Sequence, residues 1–373
     1  MASLAVRNLF QDKIRLTITL TGVIFAVVLV AIQTGLFLGF RKATSDIIDH
    51  SQADLWIGAK NVPYIEGGMV FSEQKRYQAL ATPGVASAEK YIVQFSSWKT
   101  PSGATEGVMI IGFNPDTGTG GPWNIVEGNA EDLKGPDAIF IDRVYRKKLG
   151  VTQLGQVVEI NGHRARIVGF TQGIRSFTTM PPVFTSFKNA QNYSKYKVDK
   201  TSFVLVKAAD ADVPALKQRL LSRLQDVDVF TTEEFSRRTT NYWLFQTGAG
   251  TSVLIAAMLG LIVGIVVVAQ TIYSATIDHL REYGTLKAIG ASNGYLYRVI
   301  LEQAAISASL GYAMGMVLAL AVAQMTKNGA IYVVLPGPAV AAMFGLTLLM
   351  CVSASVVSIN KVTKLDPAMV FKG

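Results

Sequence analysis

Charge disappears from the chain four times, each time for longer than a globular core segment needs. The uncharged stretches lie between Arg15 and Arg41, between Arg238 and Asp278, between Glu302 and Lys327, and between Lys327 and Lys361. A helix that crosses the hydrocarbon of a bilayer needs about 20 apolar residues, so each stretch holds one span. The pattern places them near 17–39, 250–274, 299–322 and 335–358. The run after Arg15 is too long for the apolar core of a signal peptide and is read as a retained helix.

The interval from about 41 to 238 has a different texture. Short runs rich in Val, Ile, Phe and Tyr, bounded by Gly, Pro or Asn, predict strands at 53–58, 88–97, 107–113, 138–141, 157–160, 165–170 and 203–206. The segment VEINGHRARIV (158–168) reads as a hairpin turning at Asn161 and Gly162, a strong short-range hairpin signal. Helices are predicted at 72–81, with Ser72 as cap, and at 213–224. The flanks 41–52 and 231–246 extend the first and second spans outward as helical stalks. The fold class is therefore an α-helical membrane protein with four transmembrane helices and a large α+β domain inserted between helices 1 and 2. Its parts are 1–40, the inserted domain at 41–240, and 241–373.

Composition agrees with a membrane class. Half of the residues are hydrophobic and only 16% are charged, against about a quarter in soluble domains. The net charge of +9 comes without a basic run interleaved with aromatics, so it points to anionic lipid rather than nucleic acid. Cations cluster in the N-terminal segment (Arg7, Lys13, Arg15), in the connector between spans two and three (Arg281, Lys287, Arg298) and in the tail (Lys361, Lys364, Lys372). The positive-inside rule then makes both termini and that connector cytoplasmic, and the inserted domain extracytoplasmic.

The chemistry-bearing motifs are mostly absent. There is no phosphate-binding G-x-x-x-x-G-K-[ST] motif, so nucleotide hydrolysis is not expected from this chain. His50, His163 and His279 lie in separate segments, and no H-E-x-x-H motif occurs. Neither a metal site nor a stand-alone enzyme is expected. The single cysteine, Cys351, excludes an internal disulfide. Gly35/Gly39, Gly260/Gly264 and Gly311/Gly315 each place two small residues four apart in a span, which allows close helix packing either within the chain or in a dimer. Glu302, at the edge of the third span, pairs with Arg298 one turn earlier or marks a functional intramembrane carboxylate. Gln33, Gln270 and Gln324 are candidates for polar interhelix bonds.

The connector itself, over 278–292, reads as a short amphipathic helix (278–291) stopped by Gly290. Its residues alone describe an ordinary interfacial helix. The run REYGTLKAIGA (281–291) resembles the R-E-(I/Y)-G-(L/T)-L-(R/K)-A-(I/L)-G-A signature of the MacB/FtsX-type (type VII) ABC transporter permeases, and it falls between the second and third of four spans. PGV at 83–85, DAIFID at 137–142, KKLG at 147–150, the hairpin run at 155–169, EQA at 302–304 with Gly311 and Gly315, and DPA at 366–368 resemble further parts of that family. KIRL at 13–16, QTG at 33–35 and QADL at 52–55 are most similar to its DevC-like branch.

The resemblance implies a bacterial inner-membrane exporter permease that forms a homodimer with two separate ATPase subunits, which bind the ATP and magnesium; the chain itself carries no cofactor. It implies a membrane-fusion protein and an outer-membrane channel as further partners, and a lipid, glycolipid or other amphipathic cargo. Arg281, Glu282, Tyr283, Gly284, Leu286, Lys287, Ile289 and Gly290 become the expected ATPase-coupling residues. The alternative is an FtsX-like transmitter that regulates an outer cell-wall hydrolase without transport.

Overall fold

The computed structural model describes residues 10, 13–178, 180–194, 199–210, 212–278, 280–327, 329 and 333–363. The chain opens with helix α1 (Lys13–Asp49). The inserted domain follows with β1 (Leu55–Ala59), β2 (Phe71–Ser72), α2 (Gln74–Leu80), β3 (Val85–Lys99), β4 (Thr105–Phe113), β5 (Ile125–Glu127) and β6 (Ala138–Asp142). It continues through α3 (Arg146–Leu149), β7 (Val157–Ile160), β8 (His163–Thr171), β9 (Pro182–Ser186), α4 (Phe187–Tyr193) and β10 (Lys200–Thr201). It closes with β11 (Phe203–Ala208), α5 (Val213–Arg223), β12 (Val227–Thr231) and α6 (Thr232–Asn241). The remaining helices are α7 (Gly248–Asp278), α8 (Leu280–Ala288), α9 (Asn293–Thr326) and α10 (Gly337–Thr363).

Four helices among the described residues are long and apolar enough to cross a membrane: Leu16–Asp49, Gly248–Asp278, Asn293–Thr326 and Gly337–Ser355. The first three sequence-based spans mark only the apolar middles of these helices, and the fourth begins two residues before α10. Once nucleated, a helix gains one hydrogen bond per added residue and so runs past the apolar stretch. α1 continues through the expected first stalk, 41–49, without a break. The second flank differs from the expectation. It splits into strand β12, helix α6 and a π-helical turn (Tyr242–Gln246), and Thr247 is extended (φ −108°, ψ 150°), so it does not run straight into α7. Arg7, His279, Lys364, Lys372 and the 366–368 tail motif lie outside the described residues.

The chain divides into two compact units, one built on 40–251 and the other on the four long helices. In the helical unit, α1 supplies the surface on which the others pack. A Cβ added to Gly311 would stand 2.5 Å from Val23, and one added to Gly315 would stand 2.9 Å from Val27. Further along α1, Gly264 faces Val30 and Gly260 faces Gln33 at 3.2 and 3.0 Å. Gly35 is covered by Val333, and its carbonyl accepts the N–H of Val334 (3.0 Å). Gly39 is buried. Five of these six candidate glycines thus admit neighbours within their own chain, the role that small residues play where lipid offers no hydrophobic drive.

The inserted unit holds two subdomains that share one long strand. Strands β12-β1-β11-β3 form an antiparallel sheet with α2 and α5 packed on one face, the split β-α-β-β-α-β arrangement. Everything from β4 to β10 is inserted between its second and third strands. β3 is long enough to leave this sheet and enter another. Its first half pairs with β11 and its second with β4. Strand pairings then run β3-β4-β9-β6-β8-β7 and return to β3, a closed ring. Alternate residues fill it, among them Val108, Ile110, Ile139, Ile141, Val158, Ile160, Ala165 and Ile167. Closure removes the exposed edges that a sheet of this kind would otherwise present.

The predicted strands all occur: 157–160 is reproduced as it stands, the first shifts to Leu55–Ala59, and the other five run longer. β7 and β8 meet at Asn161 and Gly162, both with positive φ (50° and 79°), as a two-residue type I′ hairpin requires. Ser72 is not the N-cap residue of α2. It ends β2, and its hydroxyl accepts the Gln74 N–H at 3.3 Å while Glu73 precedes the helix.

The π-helical turn after α6 is held by an aromatic cluster. Tyr64 stacks on Tyr242 (4.1 Å), Trp243 meets Phe177 (4.1 Å), and the Trp243 indole donates to Glu66 Oε2 (3.4 Å). Burial pushes the Glu66 carboxyl from its ordinary 4.5 up to about 7, against its own backbone N–H and the indole. A raised carboxyl pKa in the native state means that stability is full below the unfolded value and is lost as pH climbs through the folded one.

Two outcomes are expected. Gly311→Leu overpacks the contact with Val23 and costs about 1–3 kcal/mol, lowering the melting temperature of the detergent-purified chain. Gly345→Leu, at a helical glycine with nothing within 4 Å, leaves it unchanged; equal losses in both would refute the packing assignment. Melting followed by tryptophan fluorescence should show the native chain losing stability between about pH 4.5 and 7, and Glu66→Gln should flatten that decline.

Candidate functional site

The connector is built from local rules. α8 ends at Ala288, and Gly290 takes φ +102°. The Gly290 N–H bonds the Lys287 carbonyl (3.0 Å) and the Ala291 N–H bonds the Leu286 carbonyl (3.0 Å). This pair of bonds is the Schellman stop, and it needs a residue that tolerates positive φ. Two residues later Ser292 is the N-cap of α9, its hydroxyl accepting the Tyr295 N–H at 3.3 Å. A helix stop and a helix start therefore sit back to back, which fixes the turn with local hydrogen bonds alone.

What the turn presents is apolar and charged together. Ile289 is 79% exposed and Tyr295 is 44% exposed. Glu282 and Thr285 are also exposed, Leu286 and Lys287 are half-buried, and Gly284 is buried. α8 also touches α10. The side chains of Arg281 and Tyr283 lie outside the described residues. Arg298 Nε bonds Glu302 Oε1 at 2.9 Å, so that carboxylate is engaged in an i,i+4 pair.

Two polar groups of the inserted unit are tied into its own packing. Asp142, buried at the end of β6, accepts the N–H groups of Val144 (3.0 Å) and Ile174 (2.7 Å) and the Thr171 hydroxyl (3.1 Å). Burial raises its pKa and these bonds oppose the rise. His50 stacks on Trp123 (4.3 Å) while its Nδ1 lies 2.8 Å from the Asp46 carbonyl. Asp142 closes the DAIFID run noted in the sequence, but its bonds to Thr171 and Ile174 come from a distant segment and no window of sequence displays them. Among the described residues no group of three His, Cys, Asp or Glu side chains stands together as a metal-ligand set.

Comparison with known proteins bears on both halves of the chain. A family model described as the MacB-like periplasmic core domain matches residues 16–223, and one described as the FtsX-like permease C-terminal region matches 254–367. An uncharacterized ABC transporter permease of Mycobacterium tuberculosis is 26% identical over 375 residues, 99% of each chain. One of Mycobacterium bovis is 24% identical over 374 residues, again 99% of each. Among solved structures, the periplasmic region of MacB from Actinobacillus actinomycetemcomitans aligns with a TM-score of 0.38 at 10% identity, covering 52% of this chain and 98% of that one. The extracellular domain of the noncanonic ABC-type transporter YknZ from Gram-positive bacteria aligns at 0.37 and 14% identity, covering 48% and 99%. The first family match alone covers more than half of the 373 residues, and the second contains the connector. The chain belongs to the MacB/FtsX type of ABC transporter permease.

Proposed function

We propose that this permease carries the ATP-driven motion of two separate ATPase subunits through its connector to its inserted domain, and so exports a lipid, glycolipid or other amphipathic substrate. The observation that carries the proposal is the connector turn: an exposed Ile289 on a turn clamped between a Schellman stop and a serine cap. A partner that pushes on such a turn moves helices rather than a loop. Arg281, Glu282, Tyr283, Leu286, Lys287 and Ile289 form the ATPase contact, and Gly284 and Gly290 set the shape of the helix and its end. ATP and magnesium bind in the partner. The permease works as a homodimer in the bacterial inner membrane with both termini cytoplasmic, alongside a membrane-fusion protein and an outer-membrane channel.

Nucleotide acts by stabilising one of two arrangements over the other, and shifting such an equilibrium from 1:99 to 99:1 takes about 5.5 kcal/mol of differential binding. The continuity of α1 through Asp49 supports a mechanical reading, because a helix transmits displacement where a flexible loop absorbs it.

The test is co-purification with the ATPase encoded beside this gene. Arg281→Glu with Leu286→Asp should abolish it and remove ATP-dependent export, with membrane insertion and melting temperature unchanged. Retained ATPase binding and export in a normally inserted double variant would sink the proposal.

A further inference from the structure

α1 leaves its apolar stretch on two adjacent cations. Arg41 and Lys42 are both exposed, and among the described residues neither forms an ion pair. They end the uncharged run that begins after Arg15. At 1.5 Å per residue that run measures about 37 Å, a little more than the roughly 30 Å of hydrocarbon in a bilayer. The pair therefore stands at headgroup level, at the end of α1 opposite Lys13 and Arg15. The positive-inside rule draws cations to the cytoplasmic side, so it does not account for these two.

A second segment reaches the same level. One residue before Arg41, the Phe40 ring meets Phe177 edge-on (5.5 Å), and Phe177 packs on Trp243 of the π-helical turn (4.1 Å). Three residues after Arg41, the Thr44 hydroxyl meets that of Thr240 at 3.2 Å. The turn Tyr242–Gln246 is thus held beside the outer end of α1, just before α7 starts at Gly248. Its shape is pinned. A Cβ on Gly250 would collide with the Leu244 backbone, and the Thr247 hydroxyl donates to the Trp243 carbonyl (2.8 Å). Leu244 is buried, whereas its neighbour Phe245 is 65% exposed.

The carboxylates near this collar are engaged within the protein. Asp46 is buried and lies 3.3 Å from His50 Nδ1, Asp49 accepts the Ser45 hydroxyl (2.8 Å), and Glu66 accepts the Trp243 indole. What remains outward is two cations and one apolar ring. We infer that Arg41, Lys42 and Phe245 dock on the anionic phospholipid headgroups of the outer leaflet. Arginine and lysine bind phosphate by charge-assisted hydrogen bonds, and an anionic surface attracts each cation within a Debye length. An apolar ring at the end of a span lodges among the first carbons of the acyl chains, as interfacial aromatics do. The contact sets the depth of the outer end of α1. That this end is the outer one rests on the orientation proposed above; the lipid contact itself does not.

The experiment uses the full chain in phosphatidylcholine nanodiscs, with a bimane fluorophore on Gln246→Cys; the native Cys351 is buried. The discs carry equal small fractions of either phosphatidylglycerol or phosphatidylcholine bearing a nitroxide at the headgroup end of the acyl chain. The anionic lipid should quench about fivefold more strongly at low salt, and added salt should erode the preference. Arg41→Gln with Lys42→Gln should bring the two lipids close to parity. Lys13→Gln with Arg15→Gln should leave the preference intact. Equal quenching by both lipids in the native chain, a preference that survives Arg41→Gln with Lys42→Gln, or quenching by aqueous iodide alone would overturn the inference. No ATPase is present, so failure here leaves the coupling reading standing, and failure of that reading leaves this result unchanged.

Discussion

Valine side chains of α1 fill notches that glycines leave on α7 and α9, and the helical unit rests on that fit. Val23 and Val27 enter beside Gly311 and Gly315, and Val30 enters beside Gly264. In lipid the tails are as apolar as the helix surfaces, so burial of side chains supplies little drive and close contact must supply it instead. A glycine inside a helix costs up to about 1 kcal/mol in conformational freedom. Its presence at each notch indicates that the approach of the backbones outweighs that cost. The same contacts make α1 a shared element, packed against both α7 and α9.

The connector follows a complementary logic. Its hydrogen bonds are local, the Schellman pair at Gly290 and the Ser292 cap, so its shape does not depend on a neighbour. That leaves Ile289 and Tyr295 exposed without loss of order. A preformed, partly apolar turn is suited to receive a rigid partner, because little ordering entropy is lost on contact. The inserted domain shows the same economy in another form. β3 serves two sheets at once, joining the closed ring to the open split β-α-β sheet through one continuous strand.

Local signals were legible in the residues and non-local ones were not. Asn161 and Gly162 declare their hairpin because positive φ at both positions is demanded by the turn itself. Gly290 declares a helix stop for the same reason. β9 was not foreseen: it begins at Pro182, which reads as a breaker, yet proline is tolerated at the first residue of a strand. β12 was not foreseen either, since VDVFT passes into a capping box with no turn residue between them. Closure of the ring depends on pairing Trp98 with Ile160, which no window of sequence displays. The glycine pairs were legible as packing positions, but only the structure says which valines fill them.

The central claim is that the nucleotide state of a bound ATPase reaches the inserted domain. Distance measurement between spin labels tests it most directly. Cys351 is buried, so Gln153→Cys, at an exposed position of the inserted domain, gives one label per chain. In the assembled complex with a hydrolysis-deficient ATPase, the distance distribution between the two labels should shift when ATP is added, and Arg281→Glu with Leu286→Asp should prevent the shift. An unchanged distribution in an intact, ATP-loaded complex would contradict the account.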